Sequence, residues 1–197
     1  LEFRRVLFRS VDARIGDMNA NGVLGSLCFP TVPGFVGELF GRRAVEGETE
    51  LAITMLRAYN DWHIDEWCGK HPGRFIPLAI PPMWDPQEMG REVKRVAAKG
   101  CHAITFADNP GALGYPSLHD PHWDPFWKAC SDEGTIVCIH IGSGTRLAMQ
   151  DMGAPIEIMI AGTPITLFNC ATELVFSEAL QKFSDLKIAL SEGGIGW

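Results

Sequence analysis

The segment Thr135-Ile136-Val137-Cys138-Ile139-His140-Ile141-Gly142-Ser143-Gly144 places a histidine at the end of an almost unbroken apolar run, just before a glycine-rich exit. An imidazole there can bind a metal or exchange a proton near neutral pH. Its structural alternative is a core histidine held by a backbone carbonyl. Residues two apart in a strand share a face, so Ile136, Cys138 and His140 point the same way, with Cys138 read as packing. A second candidate, Glu192, ends the run 187–191 and is followed by Gly193, Gly194 and Gly196. A carboxylate at a strand terminus beside glycines can serve as general base or metal ligand, because the glycines let backbone approach a ligand closely. The bland reading is a solvated acid in a turn.

Two loops supply substrate-binding candidates. Segment 108–122 carries Asn109, His119 and His122. The three-residue spacing of the histidines suits a metal on a helix but is weak evidence on a proline-bearing loop. Asp120 and Asp124 are read as caps for the next helix, Asp124 in particular. Arg42, in the glycine-containing segment 30–47, suits a bidentate grip on a substrate carboxylate, with a solvated surface charge as the alternative. His63, His71 and His102 fall away from these loops and receive no catalytic role. Gly142-Ser143-Gly144 lacks the spacing of a hydrolase nucleophile elbow.

The elements that must position these residues alternate. Strands are predicted at 23–29, 75–80, 101–107, 135–141 and 187–191, and helices at 48–68, 85–99, 124–132 and 165–183. Strand–helix repetition predicts an α/β fold with a parallel sheet and right-handed crossovers. Returns from helix to strand are short, whereas the exits 30–47, 108–122 and 142–164 are long. That asymmetry describes a (β/α)8 TIM barrel with its site at the carboxyl face. A doubly wound sheet ranks second, since the dinucleotide fingerprint G-x-G-x-x-G is missing.

Composition narrows the class of partner. A net charge of −7 and the lack of a basic run exclude nucleic acid and an anionic membrane, leaving a small-molecule substrate and room for a homo-oligomer. No apolar stretch is taken as long enough to span a bilayer. Six scattered cysteines without a C-x-x-C pair look like free core thiols, which favours a cytoplasmic location. Residues 1–10 show no cap or turn joining them to Val11 and are expected to be a non-native segment. The domain is then 11–197.

Taken in order, Met18-Asn19-Ala20-Asn21-Gly22-Val23, His71-Pro72-Gly73-Arg74-Phe75, Cys138-Ile139-His140 and 186–194 resemble the amidohydrolase-related family of metal-dependent TIM-barrel hydrolases, which includes aminocarboxymuconate-semialdehyde decarboxylase. The resemblance runs from about Val11 to the end. It implies a divalent metal, usually Zn2+, held by an H-x-H pair on the first strand, a histidine on the fifth and an aspartate on the eighth. His140 matches the fifth-strand ligand, and the others are absent, so the chain is expected to be an internal piece covering about strands two to six. Where the decarboxylases carry a histidine before the paired glycines of strand six, this chain has Glu192, which implies a catalytic base or a ligand instead. The expected activity is metal-dependent hydrolysis or non-oxidative decarboxylation of a small carboxylate- or carbonyl-containing metabolite. The alternatives are a non-catalytic small-molecule-binding barrel and a phosphate-binding barrel, the latter disfavoured by the charge of Glu192.

Overall fold

The computed structural model describes residues 10–144, 151 and 153–193. In chain order these form α1 (Val11–Ala20), β1 (Ser26–Leu27), α2 (Glu38–Val45), α3 (Thr49–Asp61), β2 (Phe75–Ile76), α4 (Pro86–Ala97), β3 (Ala103–Phe106), α5 (Asp124–Asp132), β4 (Ile136–His140), α6 (Ile156–Gly162), α7 (Pro164–Phe176), α8 (Ala179–Lys182) and β5 (Lys187–Ser191). A π-helical turn, Trp62–Cys68, extends α3, and short 3-10 turns follow β3 at Pro110–Leu113 and Pro121–Trp123.

Every strand pairing is parallel. β1 pairs with β2, β3 with β4 and β4 with β5, while a single parallel bridge from Ala79 to Ile104 ties the segment after β2 to β3. The strands therefore follow one another in chain order, as the strand–helix alternation predicts.

Side-chain alternation divides the sheet into two faces. Ile104, Phe106, Val137 and Ile139 pack outward into the main core with Val93, Phe126, Trp127 and Leu174 of the covering helices. Phe106 sits inside an aromatic nest, 4.6 Å from Trp127, 5.1 Å from Trp123 and 5.3 Å from Phe126 between ring centres. On the opposite face Cys138 clusters with Leu78 and Ala103, and Leu27 and Phe29 pack against them. His140 lies two residues beyond Cys138 and belongs to this inner face.

Local chemistry explains the element ends. Asp85 caps α4 by accepting from the amides of Gln87 and Glu88, with Pro86 at the first helical position. α3 is clamped beneath the sheet by Asn60, whose amide donates to Ile80 O at 2.9 Å and whose oxygen accepts from Ile80 N at 2.9 Å.

Several expectations are corrected. Segment 30–47 contains α2, so Arg42 sits on a helix rather than a loop, and segment 142–164 contains α6. The 165–183 helix breaks at Ser177, whose backbone is extended. Asp124 does not cap α5; Asp120 caps the preceding 3-10 turn, and Asp124 meets Lys182 at 3.5 Å. Ser10 caps α1 through Ala13 N, so a cap does join residue 10 to the fold. The stretch Ile156–Phe176 is, by length and composition, apolar enough to cross a bilayer, against the expectation from sequence.

Candidate metal centre at the strand ends

His140 closes β4, and the backbone fixes the role of one ring nitrogen. A carbonyl oxygen can only accept, so Nδ1, 2.7 Å from Ile141 O, carries the proton. In the neutral ring this leaves the Nε2 lone pair free, the tautomer a metal ligand needs. Phe35 stacks on the imidazole at 4.1 Å with planes 19° apart, and Phe29 meets it edge-on at 4.8 Å. The side chain is 13% exposed.

Nε2 faces Glu192, whose Oε2 stands 3.5 Å away on a side chain that is 70% exposed. The approach follows from the sheet. Ser191 is the register partner of His140, and Ile141 N donates to Ser191 O at 3.2 Å, so Glu192 leaves β5 directly beside the end of β4. Its φ of 66° is the one left-handed value among the described non-glycine residues. Gly193 must be small, because a Cβ there would come within 2.7 Å of Leu167 Cβ on α7.

His140 and Glu192 together offer one borderline nitrogen and one hard oxygen, a donor pair that suits Zn2+ or Mn2+. Among the described residues no group of three His, Cys, Asp or Glu side chains converges to hold an ion. The pair therefore fits part of a coordination sphere. Cys138, buried below His140, packs with Leu78 and Ala103, and burial pushes its thiol up to about 11.

The remaining candidates lie elsewhere. His119 Nε2 contacts Glu173 Oε2 of α7, on the far side of the 108–122 loop. His122 packs edge-on against Trp123 at 4.8 Å. Asn109 caps the first 3-10 turn through Ala112 N and lines a cleft of about 530 Å³ with Asp108, Thr166 and Cys170. Arg42 lines a different cleft, about 390 Å³, beside Glu38 and Tyr115. The geometry thus joins His140 to Glu192 and gives Arg42, Asn109, His119 and His122 other partners.

Sequence reasoning missed Phe29 and Phe35. The available signal was the place of Phe29 at the end of the predicted first strand and of Phe35 in the long exit 30–47 that follows it. His63 is a core group: it stacks on Tyr59, lies 3.6 Å from Cys68 Sγ, and burial lowers its pKa to about 4.

The sequence model of the amidohydrolase family matches residues 9–197. The chain belongs to that family. Its fold is that of a partial TIM barrel: it superposes on an amidohydrolase from Mycobacterium avium subsp. paratuberculosis K-10 with a TM-score of 0.72 at 22% identity, covering 93% of this chain and 48% of that one. Against 5-carboxyvanillate decarboxylase from Sphingomonas paucimobilis the values are 0.64 and 23%, covering 90% and 50%. Against dihydroxybenzoic acid decarboxylase from Polaromonas sp. JS666, solved with bound manganese and the inhibitor 2-nitroresorcinol, they are 0.65 and 19%, covering 96% and 56%. The chain spans about half the length of these structures. No curated protein matches it.

Proposed function

We propose that this chain is part of a metal-dependent amidohydrolase-type enzyme, a hydrolase or a non-oxidative carboxy-lyase acting on a small carboxylate- or carbonyl-containing molecule. The observation that carries the reading is Nε2 of His140, turned away from the Nδ1 bond to Ile141 O, facing the Glu192 carboxylate at the ends of adjacent parallel strands. His140 is the metal ligand and Glu192 the acid–base group or a second ligand. A divalent ion bound there would supply Lewis acidity toward a carboxylate or carbonyl oxygen. Zn2+ suits the donors, and Mn2+, found in the Polaromonas relative, suits them too.

The residues do the rest. Phe29 and Phe35 hold the imidazole plane and keep one side of the site dry. An ionised Glu192 takes a proton from water attacking a carbonyl; a protonated one delivers it to the carbon that loses CO₂. The aromatic acids named for the Sphingomonas and Polaromonas relatives support a planar carboxylate as substrate. Arg42, Asn109, His119 and His122 are retained as substrate contacts only if the substrate reaches their clefts. Buried thiols support a reducing, cytoplasmic location.

A binding-only barrel is favoured by one observation, the two-donor count among the described residues. The test separates the readings. A longer protein containing this chain, loaded with Zn2+ or Mn2+, is assayed for CO₂ release from hydroxybenzoates and for hydrolysis of lactones and amides. Activity lost in both His140→Ala and Glu192→Gln supports the enzyme; ligand binding without turnover supports the binding barrel.

A further inference from the structure

The cleft between α2 and the 3-10 turn after β3 shares no residue with the His140–Glu192 pair or with the two phenyl rings around it. It measures about 390 Å³ and has apolar walls in Val36, Val45 and Leu113. That is room for a molecule of one ring, at the small end of the range for ligand sites. Two donors on its lining have no partner among the described residues. Arg42, in the last turn of α2, makes no ion pair, whereas its neighbour Arg43 is tied to Glu46 at 3.3 Å and to Glu48 at 3.4 Å. The Tyr115 hydroxyl likewise bonds to nothing, although it lies close against α2: residue 41 is glycine there, and a Cβ would stand 3.0 Å from Tyr115 Oη. Burial and the Glu38 carboxylate raise the pKa of this phenol, so at neutral pH it keeps its proton and remains a donor.

We infer that this cleft is a binding site for a small organic monocarboxylate with an apolar body. The guanidinium fork of Arg42 takes the carboxylate, the Tyr115 hydroxyl supplies a further donor, and Val36, Val45 and Leu113 cover the body. The site needs no metal, and it stands whether or not the proposed reaction does.

Charge sets the class of ligand. Two carboxylates line the cleft, and both are engaged: Glu46 pairs with Arg43, and Glu38 folds back over Gly34, where its Oε2 accepts from Val36 N at 3.3 Å. The charge left without a counterpart is that of Arg42, which one negative charge matches. A phosphate dianion would carry a second charge into the field of Glu38 and Glu46, and a cationic ligand would meet Arg42 itself. A wholly apolar molecule would take water from Arg42 and Tyr115 and give their donors nothing in return.

Isothermal titration of the metal-free 197-residue chain at low ionic strength tests this, with benzoate as the probe, benzamide as its uncharged counterpart and inorganic phosphate as the more highly charged anion. The expected result is saturable binding of benzoate, with benzamide and phosphate weaker by about tenfold or more. Arg42→Gln should weaken benzoate binding by about tenfold or more, and Tyr115→Phe by about threefold. Lys94→Gln, an equal loss of charge on α4, should leave it unchanged. Should a substituted chain not fold, amide NMR of the unaltered chain locates the ligand, as benzoate-dependent shifts at Gly41, Arg42, Gly114 and Tyr115. Absence of saturable benzoate binding, equal binding of benzamide or phosphate, an affinity indifferent to Arg42→Gln, benzoate-dependent shifts confined to other residues, or binding that His140→Ala abolishes while Arg42→Gln retains it would each overturn the inference.

Discussion

Glu192 reaches His140 because its backbone turns left-handed immediately after the last ladder bond of β5, bringing Oε2 to 3.5 Å from Nε2. A side chain at φ of 66° costs roughly 1 kcal/mol that glycine would not. Glu192→Gly is therefore expected to stabilise the chain by up to about 1 kcal/mol in urea melts while abolishing any acid–base function. Glu192→Gln keeps the strain and serves as the comparison: a loss of about 10²-fold or more in turnover of the longer protein, with stability unchanged, marks a proton-transfer role. If Glu192→Gly is less stable than wild type, the carboxylate is a structural tie instead.

With two donors among the described residues, the 197-residue chain is expected to bind Zn2+ weakly and below one equivalent at micromolar concentration, since catalytic sites use about three protein ligands. Isothermal titration checks this. The residual heat should vanish in His140→Ala, and it should persist in His63→Gln, because that ring is sealed in the core. Tight stoichiometric binding by the chain would show that further ligands lie within it.

His63 also predicts an acid limb of stability. Burial holds its folded pKa at about 4, against about 6.5 in an unfolded chain, so below pH 6.5 the unfolded state takes up a proton that the folded state refuses. Stability is full above that range and falls progressively as pH drops toward 4, by at most about 3 kcal/mol. Urea midpoints measured between pH 7 and pH 4.5 should fall steeply. His63→Gln should flatten the slope in that window, whatever its effect at pH 7.

Much of the barrel was legible because its central strands are apolar on both faces. The expected strand 187–191 and helix 124–132 coincide with β5 and α5, and His140 and Glu192 do lie at one end of neighbouring strands. The outer strands were read too long. Of 23–29 only Ser26–Leu27 pairs, and the carbonyls of Val23 and Leu24 are held instead by the Arg74 guanidinium, a long-range contact that leaves no local pattern. α6 escaped notice because its alternating isoleucines look like a strand to any propensity argument. α2 was hidden by its own glycines, Gly37 at the left-handed cap and Gly41 within. The aromatic walls around His140 come from residues over a hundred positions earlier, which only folding brings near.

The buried carboxylate of Glu92 supplies the last prediction. Its side chain is fully buried between α3 and α4, yet Oε1 accepts from Asn60 and Arg95 at 2.8 Å, and Oε2 accepts from Arg95 at 2.8 Å and from Arg57 at 3.3 Å. Burial would raise its pKa, and the hydrogen bonds from Arg95, Asn60 and Arg57 outweigh that and leave it lowered. Its stabilisation is accordingly present above the ordinary carboxylate pKa and is lost only as pH falls through the lower folded value, on the acid side of the His63 window. Glu92→Ala removes the anion and strands the amide of Asn60, which also brackets Ile80, and leaves Arg95 and Arg57 with only Asp61 and Glu88 as carboxylate partners. Breaking one partner of such a network costs on the order of 3–5 kcal/mol. The exposed pair Arg43–Glu46 is the contrast, and Glu46→Ala should change stability by less than about 0.5 kcal/mol. Urea denaturation of both variants decides it: comparable small losses would mean that water or a rearranged Arg95 takes over the role of Glu92.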